Sequence, residues 1–203
     1  MTMDLRDLFI TTERPYKEGA VEVFAQTIPA GAAAKAVLTV TALGVYEAEL
    51  NGRKVGDVLF APGYTYYPRE LHVQTYDVTD LLGRENVLRV YLGQGWYCGR
   101  FTFDNKTKIY GDRPAVAWML TVTRPDGSEH VHTSRERGVV ARPSPYAYAG
   151  LYDGEVYCAD GADAPGFAVI EPLITNPVSS RSMLIVSRAY ERIFAFCRCD
   201  IVF

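Results

Sequence analysis

Residues 43–113 read LGVYEAELNGRKVGDVLFAPGYTYYPRELHVQTYDVTDLLGRENVLRVYLGQGWYCGRFTFDNKTKIYGDR, and the patterning of this stretch decides the fold. Residues 45–50 alternate apolar and polar side chains, as a strand with one buried face does. Asn51-Gly52 then supplies a two-residue hairpin turn, because both central positions of a type I′ turn need φ > 0. The return strand runs through residues 54–56, and a loop rich in Pro, Gly and Tyr follows at 61–68 (APGYTYYP). Alternation resumes at 71–76, with Leu71, Val73 and Thr75 on one face and His72, Gln74 and Tyr76 on the other. Residues 77–82 (DVTDLL) fit a short helical turn capped by Asp77 or Thr79. Gly83-Arg84-Glu85-Asn86 then turns the chain into a further strand at 87–92.

The same pattern extends outward. Residues 20–27 (AVEVFAQT) read as an edge strand ended by Ile28-Pro29-Ala30-Gly31, and residues 34–41 as a second strand. Residues 115–123 and 130–134 pair around a Pro125-Asp126-Gly127 turn. About eight or nine strands at this spacing, with no long helix, predict an all-β fold: a jelly-roll β-sandwich over residues 20–160. Residues 1–19 form a lead-in. From 161 to 203 the clean alternation is lost, and the tail ends in an apolar segment containing cysteines. Residues 182–196 suit a helix or a strand equally well, so the pattern leaves this tail open.

Composition narrows the function classes. The chain has 203 residues, 48% hydrophobic and 22% charged, which is enough apolar material for a real core. Its net charge is −3, and its 21 Lys and Arg residues form no basic run, so nucleic acid is not an expected partner. The N-terminus has early acids and no apolar h-region, which argues against a signal peptide. No apolar stretch approaches about 18 residues, so no membrane-spanning helix is expected. Cys98, Cys158, Cys197 and Cys199 include one C-x-C pair without companion ligands, which predicts free thiols and a cytoplasmic protein.

Candidate chemistry is sparse. Trp96, Tyr97 and Arg100 follow a strand, where an aromatic platform and a guanidinium suit a sugar ring and its hydroxyls. The bland alternative is that Trp96 plugs one end of the sandwich and Arg100 pairs with Asp112 or Glu155. Tyr64, Tyr66 and Tyr67 offer a second aromatic surface, fit for a carbohydrate or a domain interface. Asp104, Asn105, Asp112, Asp153 and Glu155 are the oxygen donors available to a hard cation such as calcium, although no dense D-x-D-x-D run is present. Asp153 and Glu155, two apart on a strand, would lie about 7 Å apart on one face, a spacing too common in strands to assign catalysis. His72, His130 and His132 read as exposed strand residues, since no third metal ligand accompanies the pair at 130 and 132. Nucleophile elbows and phosphate-cradling glycine motifs are absent.

Several segments together resemble the N-terminal β-sandwich of bacterial α-L-rhamnosidases (glycoside hydrolase family 78). They are A-L-G-V-Y-E-x-x-L-N-G-x-x-V-G-D at 42–57, A-P-G-Y-T-x-Y at 61–67 and Q-T-Y-D-V-T-D-L-L at 74–82. The order continues through Glu85-Asn86-Val87-Leu88, L-G-x-G-W-Y-x-G-R at 92–100, Y-G-D-R at 110–113 and L-Y-D-G-E-x-Y at 151–157. N-G-x-x-V-G and D-V-T-D-L-L also resemble, more loosely, the galactose-binding-domain-like jelly rolls of β-galactosidase-type enzymes. The resemblance implies an accessory, carbohydrate-binding-like module of an α-L-rhamnosidase whose hydrolytic carboxylates belong to a separate (α/α) barrel, so no catalytic residue is assigned here.

It implies L-rhamnose-containing saccharides as ligands, with Asp57, Tyr64, Trp96, Tyr97, Arg100 and Asp112 as sugar-contacting candidates. It requires no cofactor. Calcium is the cation it allows, with Asp104, Asn105, Asp153 and Glu155 as donors. The alternative partner is the missing catalytic domain or a second copy packed on an apolar patch. This chain departs from the family at four polar places: Val58 follows Asp57, Gln94 stands in the G-x-G-W-Y segment, Cys98 replaces a frequent Arg, and Cys158 follows G-E-x-Y.

Overall fold

A computed structural model describes residues 4–29 and 31–158 together with two strands at 169–170 and 184–187. The first sheet runs in the order β10 (Val140–Pro143), β2 (Glu22–Ile28), β7 (Asn86–Gly93), β4 (Val45–Leu50) and β5 (Arg53–Lys54). The second runs β14 (Leu184–Ser187), β6 (Glu70–Asp77), β3 (Lys35–Leu43), β8 (Ala115–Thr123) and β9 (Glu129–Thr133). Pairing within both sheets is antiparallel except between β14 and β6. A separate hairpin joins β11 (Tyr146–Gly150) to β12 (Gly154–Tyr157), and β1 (Thr11–Thr12) pairs with β13 (Val169–Ile170). The predicted all-β jelly-roll sandwich is the fold.

Alternation builds the core. Phe24, Leu88, Val90 and Leu92 project from the first sheet, and Leu38, Val40, Trp118 and Leu120 from the second, all buried in one cluster. Each such side chain contributes about 1.5–3 kcal/mol on leaving water. Trp118 is fully buried, and its Nε1 donates to Oε1 of Gln26 on β2 at 2.8 Å, joining the two sheets across the layer.

The hairpin turn predicted at Asn51-Gly52 has φ of 56° and 74° at those residues. Asn51 also clamps the neighbouring connection. Its Nδ2 donates to the Leu81 carbonyl and to Asn86 Oδ1, and its Oδ1 accepts from the Val87 amide, all at 2.9 Å. The helical turn spans Thr79–Leu81. Val78 holds the cap position without a side-chain bond, so neither Asp77 nor Thr79 is the cap; Asp77, one residue earlier, instead accepts from the Thr79 amide through Oδ1 at 3.0 Å.

Two expectations change. Residues 20–27 do not form an edge strand, because β10 covers the far side of β2. Within the lead-in, Ile10 exchanges backbone hydrogen bonds with Val116 at 2.9 and 3.0 Å. Leu5, Leu8 and Phe9 pack in a second apolar cluster with Tyr67, Leu71 and Tyr97. His72 and His132 are buried rather than exposed, held by Glu70 at 2.8 Å and Glu136 at 3.2 Å, while His130 is exposed. Strand β14 falls in the segment left open between helix and strand; the rest of the tail from 161 lies outside the described residues, apart from β13.

Two predictions follow from this architecture. Replacing Asn51 by Ala removes its three side-chain hydrogen bonds and the short polar side chain that tolerates a positive φ, so urea unfolding should show a loss of about 1–3 kcal/mol. An unchanged midpoint would show that the clamp contributes nothing. Burial, then the nearby Asp112 carboxylate, pushes the Cys98 thiol up to about 12, whereas Cys158 is exposed. A thiol so raised is about 10⁻⁴ ionised at pH 8. Iodoacetamide at that pH should therefore modify Cys158 and spare Cys98 until the protein unfolds, as peptide mapping would read. Because the folded-state value lies above the unfolded one, this group's stabilising share is complete below the ordinary thiol range and is lost as pH rises through it.

Candidate functional site

The connection after β7 forms the first candidate surface. Gly95 sits at φ 48°, and a β-carbon there would lie 2.8 Å from the Gly44 backbone, so the close approach requires glycine. This opens a single helical turn, Gly95–Cys98, which leaves Trp96 partly exposed and turns Tyr97 and Cys98 inward. Gln94 is buried and structural: its Oε1 accepts from the Gly19 amide at 3.0 Å and from the Tyr16 hydroxyl at 3.4 Å.

Trp96 meets the edges of Phe60 and Tyr64, with ring centroids 6.3 and 6.2 Å apart. Tyr64 stacks on Phe101 at 5.1 Å and shares a 2.9 Å hydroxyl contact with Tyr110. Of the sugar-contacting candidates, the fold thus brings Tyr64 and Trp96 together. Tyr97 is withdrawn from the surface, because its ring packs against Tyr67 at 5.1 Å inside the second cluster. Asp57 and Asp112 are exposed on separate loops. Arg100 pairs with Asp153 at 2.7 Å and lies over the Tyr152 ring, so neither Asp112 nor Glu155 is its partner.

The oxygen donors proposed for calcium do not converge. Asp153 is engaged by Arg100 and by the Tyr148 hydroxyl at 3.1 Å, and Asp104 faces Lys106 at 3.6 Å on an exposed turn. Among the described residues, Asp104, Asp153 and Glu155 belong to no cluster of three metal-capable groups. A calcium ion wants six to eight oxygens, and this donor set does not fit one. Nor do Asp153 and Glu155 share a strand: Asp153 lies in the turn before β12, and Glu155 lies on it.

A groove of ≈ 380 Å³ forms the second candidate surface, between the outer face of the first sheet and the β11–β12 hairpin. Glu47 and Glu49 of β4, Tyr91 of β7, Phe60, Tyr146 and Tyr157 line it, with Glu155 at its side. Glu47 and Tyr91 are direct cross-strand partners, as are Tyr146 and Tyr157, whose rings meet edge to face at 5.3 Å. Tyr91 donates to Glu49 Oε2 at 3.3 Å, and Lys54 pairs with Glu47.

Partial burial, then Glu49, raises the pKa of the Tyr91 hydroxyl; burial, then Glu155 and Glu47, raises that of Tyr146. Both phenols stay protonated donors beside carboxylate acceptors. The sequence signal for this groove was the outward register of β4 and β7, where Glu47, Glu49 and Tyr91 alternate with buried residues. That register does not reveal the hairpin folding back over them.

The sequence profile described as the α-L-rhamnosidase N-terminal domain matches residues 31–168. An α-L-rhamnosidase of Streptomyces avermitilis is 39% identical over 145 residues, which are 69% of this chain and 14% of that protein. Among solved structures, native α-L-rhamnosidase from Aspergillus terreus superposes with TM-score 0.72 at 32% identity, covering 81% of this chain and 21% of that one. The Streptomyces avermitilis α-L-rhamnosidase complexed with L-rhamnose superposes with TM-score 0.71 at 34% identity, covering 76% and 16%. The chain therefore spans about a seventh of the length of the first relative. It belongs to the α-L-rhamnosidase N-terminal domain family.

Proposed function

We propose that this accessory domain holds an L-rhamnose-containing saccharide in the groove beside β11–β12, for an α-L-rhamnosidase whose hydrolysis is carried by other residues. The observation that carries this reading is the pairing of Tyr91, Tyr146 and Tyr157 with Glu47, Glu49 and Glu155 in one concavity. A sugar needs this combination: phenyl faces for its C–H surface and acceptors for its hydroxyls. At ≈ 380 Å³ the groove sits at the lower end of the range for small-molecule sites, suited to a single sugar unit. Because the oxygen donors do not converge, sugar contact here runs through side chains and not through a calcium bridge.

Calorimetric titration with L-rhamnose tests the proposal. A dissociation constant on the order of millimolar is expected for an open one-sugar groove, with the same value in calcium and in EDTA. Tyr157→Ala should weaken binding about tenfold, since one aromatic contact is worth about 1 kcal/mol or more. No heat at tens of millimolar sugar, or binding that disappears with EDTA, would sink it.

A second reading attaches to the loops, where Leu59, Phe60 and Tyr66 are 72%, 58% and 54% exposed. Such a patch suits packing against another domain or a second copy. If it self-associates, sedimentation velocity will show a concentration-dependent dimer that Phe60→Ser abolishes.

A further inference from the structure

We propose a divalent transition-metal site, of the kind that takes Zn²⁺, at His130, His132 and Glu136. His130 and His132 are two apart on β9 and project from one face of it, with ring centroids 4.4 Å apart. Glu136 comes from the turn that carries the chain out of the second sheet toward β10 in the first. One ligand atom from each of the three residues lies within 4.8 Å of the others. His132 Nδ1 is 3.2 Å from Glu136 Oε2.

The donor set has the right chemistry. Two imidazoles and one carboxylate suit a borderline ion and leave a coordination position open, whereas calcium and magnesium want oxygens alone. Ligands on a tetrahedral zinc stand about 3.3 Å apart, given metal–ligand bonds of about 2.0–2.1 Å. The His132–Glu136 pair already has that spacing, and rotation of the exposed His130 ring closes the remainder.

The carboxylate is also fixed from behind. Gln26 Nε2 donates to Glu136 Oε2 at 2.8 Å, the Thr133 amide donates to Oε1 at 3.2 Å, and Trp118 Nε1 orients Gln26 from the core. Outer partners of this kind hold a ligand in place before the metal arrives. An ion here would tie β9 and the turn after it to β2, and so to the opposite sheet.

The test uses the full chain with Cys197 and Cys199 replaced by Ser, because that C-x-C pair is a competing zinc ligand. After EDTA treatment and its removal, Zn²⁺ titration by calorimetry should give one site per chain. Zinc at about 100 times its dissociation constant should raise the melting temperature by about 5–10 °C. His130→Ala leaves the exposed end of the strand otherwise intact, and with Glu136→Gln it should weaken binding at least tenfold. Calcium and magnesium should do nothing. Absence of zinc binding, or zinc binding unchanged in both His130→Ala and Glu136→Gln, overturns the proposal.

Discussion

The hydrogen bond from Trp118 to Gln26 lies in the one layer on which the rest of the structure rests. Two sheets bury their inner faces against each other, and the largest fully buried side chain in that layer carries a polar N–H. Leaving that donor unpaired would cost about 1–3 kcal/mol, so its partner has to come from the facing sheet. Gln26 is that partner. Its amide nitrogen then reaches outward to Glu136 and to the Thr133 carbonyl, so that the core fixes the geometry of a turn at the edge of the sandwich. Packing and polar satisfaction therefore specify the same alignment of the sheets.

The proposed function uses what this layer leaves outside, where the β11–β12 hairpin lies against the outer face of the first sheet and closes a groove. The aromatic loops at one end have another character. Tyr64 packs on Trp96 and Phe101 and its hydroxyl meets that of Tyr110, while Arg100 is spent on Asp153, so these polar groups are already engaged. An apolar surface of this kind suits a neighbouring domain better than a sugar. The groove, with protonated phenols beside carboxylates, is where we propose that the sugar binds.

The strands of the sandwich were legible in the sequence because one buried face imposes a period of two. The Asn51-Gly52 turn was legible because few other dipeptides accept its backbone angles. Strand β10 and the β11–β12 hairpin were not. Their burial pattern is shallow, and Tyr146, Tyr148 and Tyr157 alternate on a hairpin that packs over the sheet instead of joining it.

The candidate site was only partly legible for the same reason. Tyr64 and Trp96, offered by the sequence as two separate aromatic surfaces, meet in one, and Tyr97 turns inward through the helical turn that Gly95 opens. Glu155 was read as a calcium donor and as the neighbour of Asp153 on a strand. Its place in the groove depends on tertiary folding alone. Glu136 escaped notice because it lies in an irregular turn, where no periodicity relates it to His130 and His132.

The central claim is that this domain meets its saccharide in the groove and not on the aromatic loops. Amide chemical-shift mapping during a titration with L-rhamnose addresses it most directly. The account predicts perturbations concentrated on Glu47, Tyr91, Tyr146, Glu155 and Tyr157, with residues 96–101 unmoved. Shifts centred on Tyr64, Trp96 and Phe101, or no shifts at saturating sugar, would contradict it.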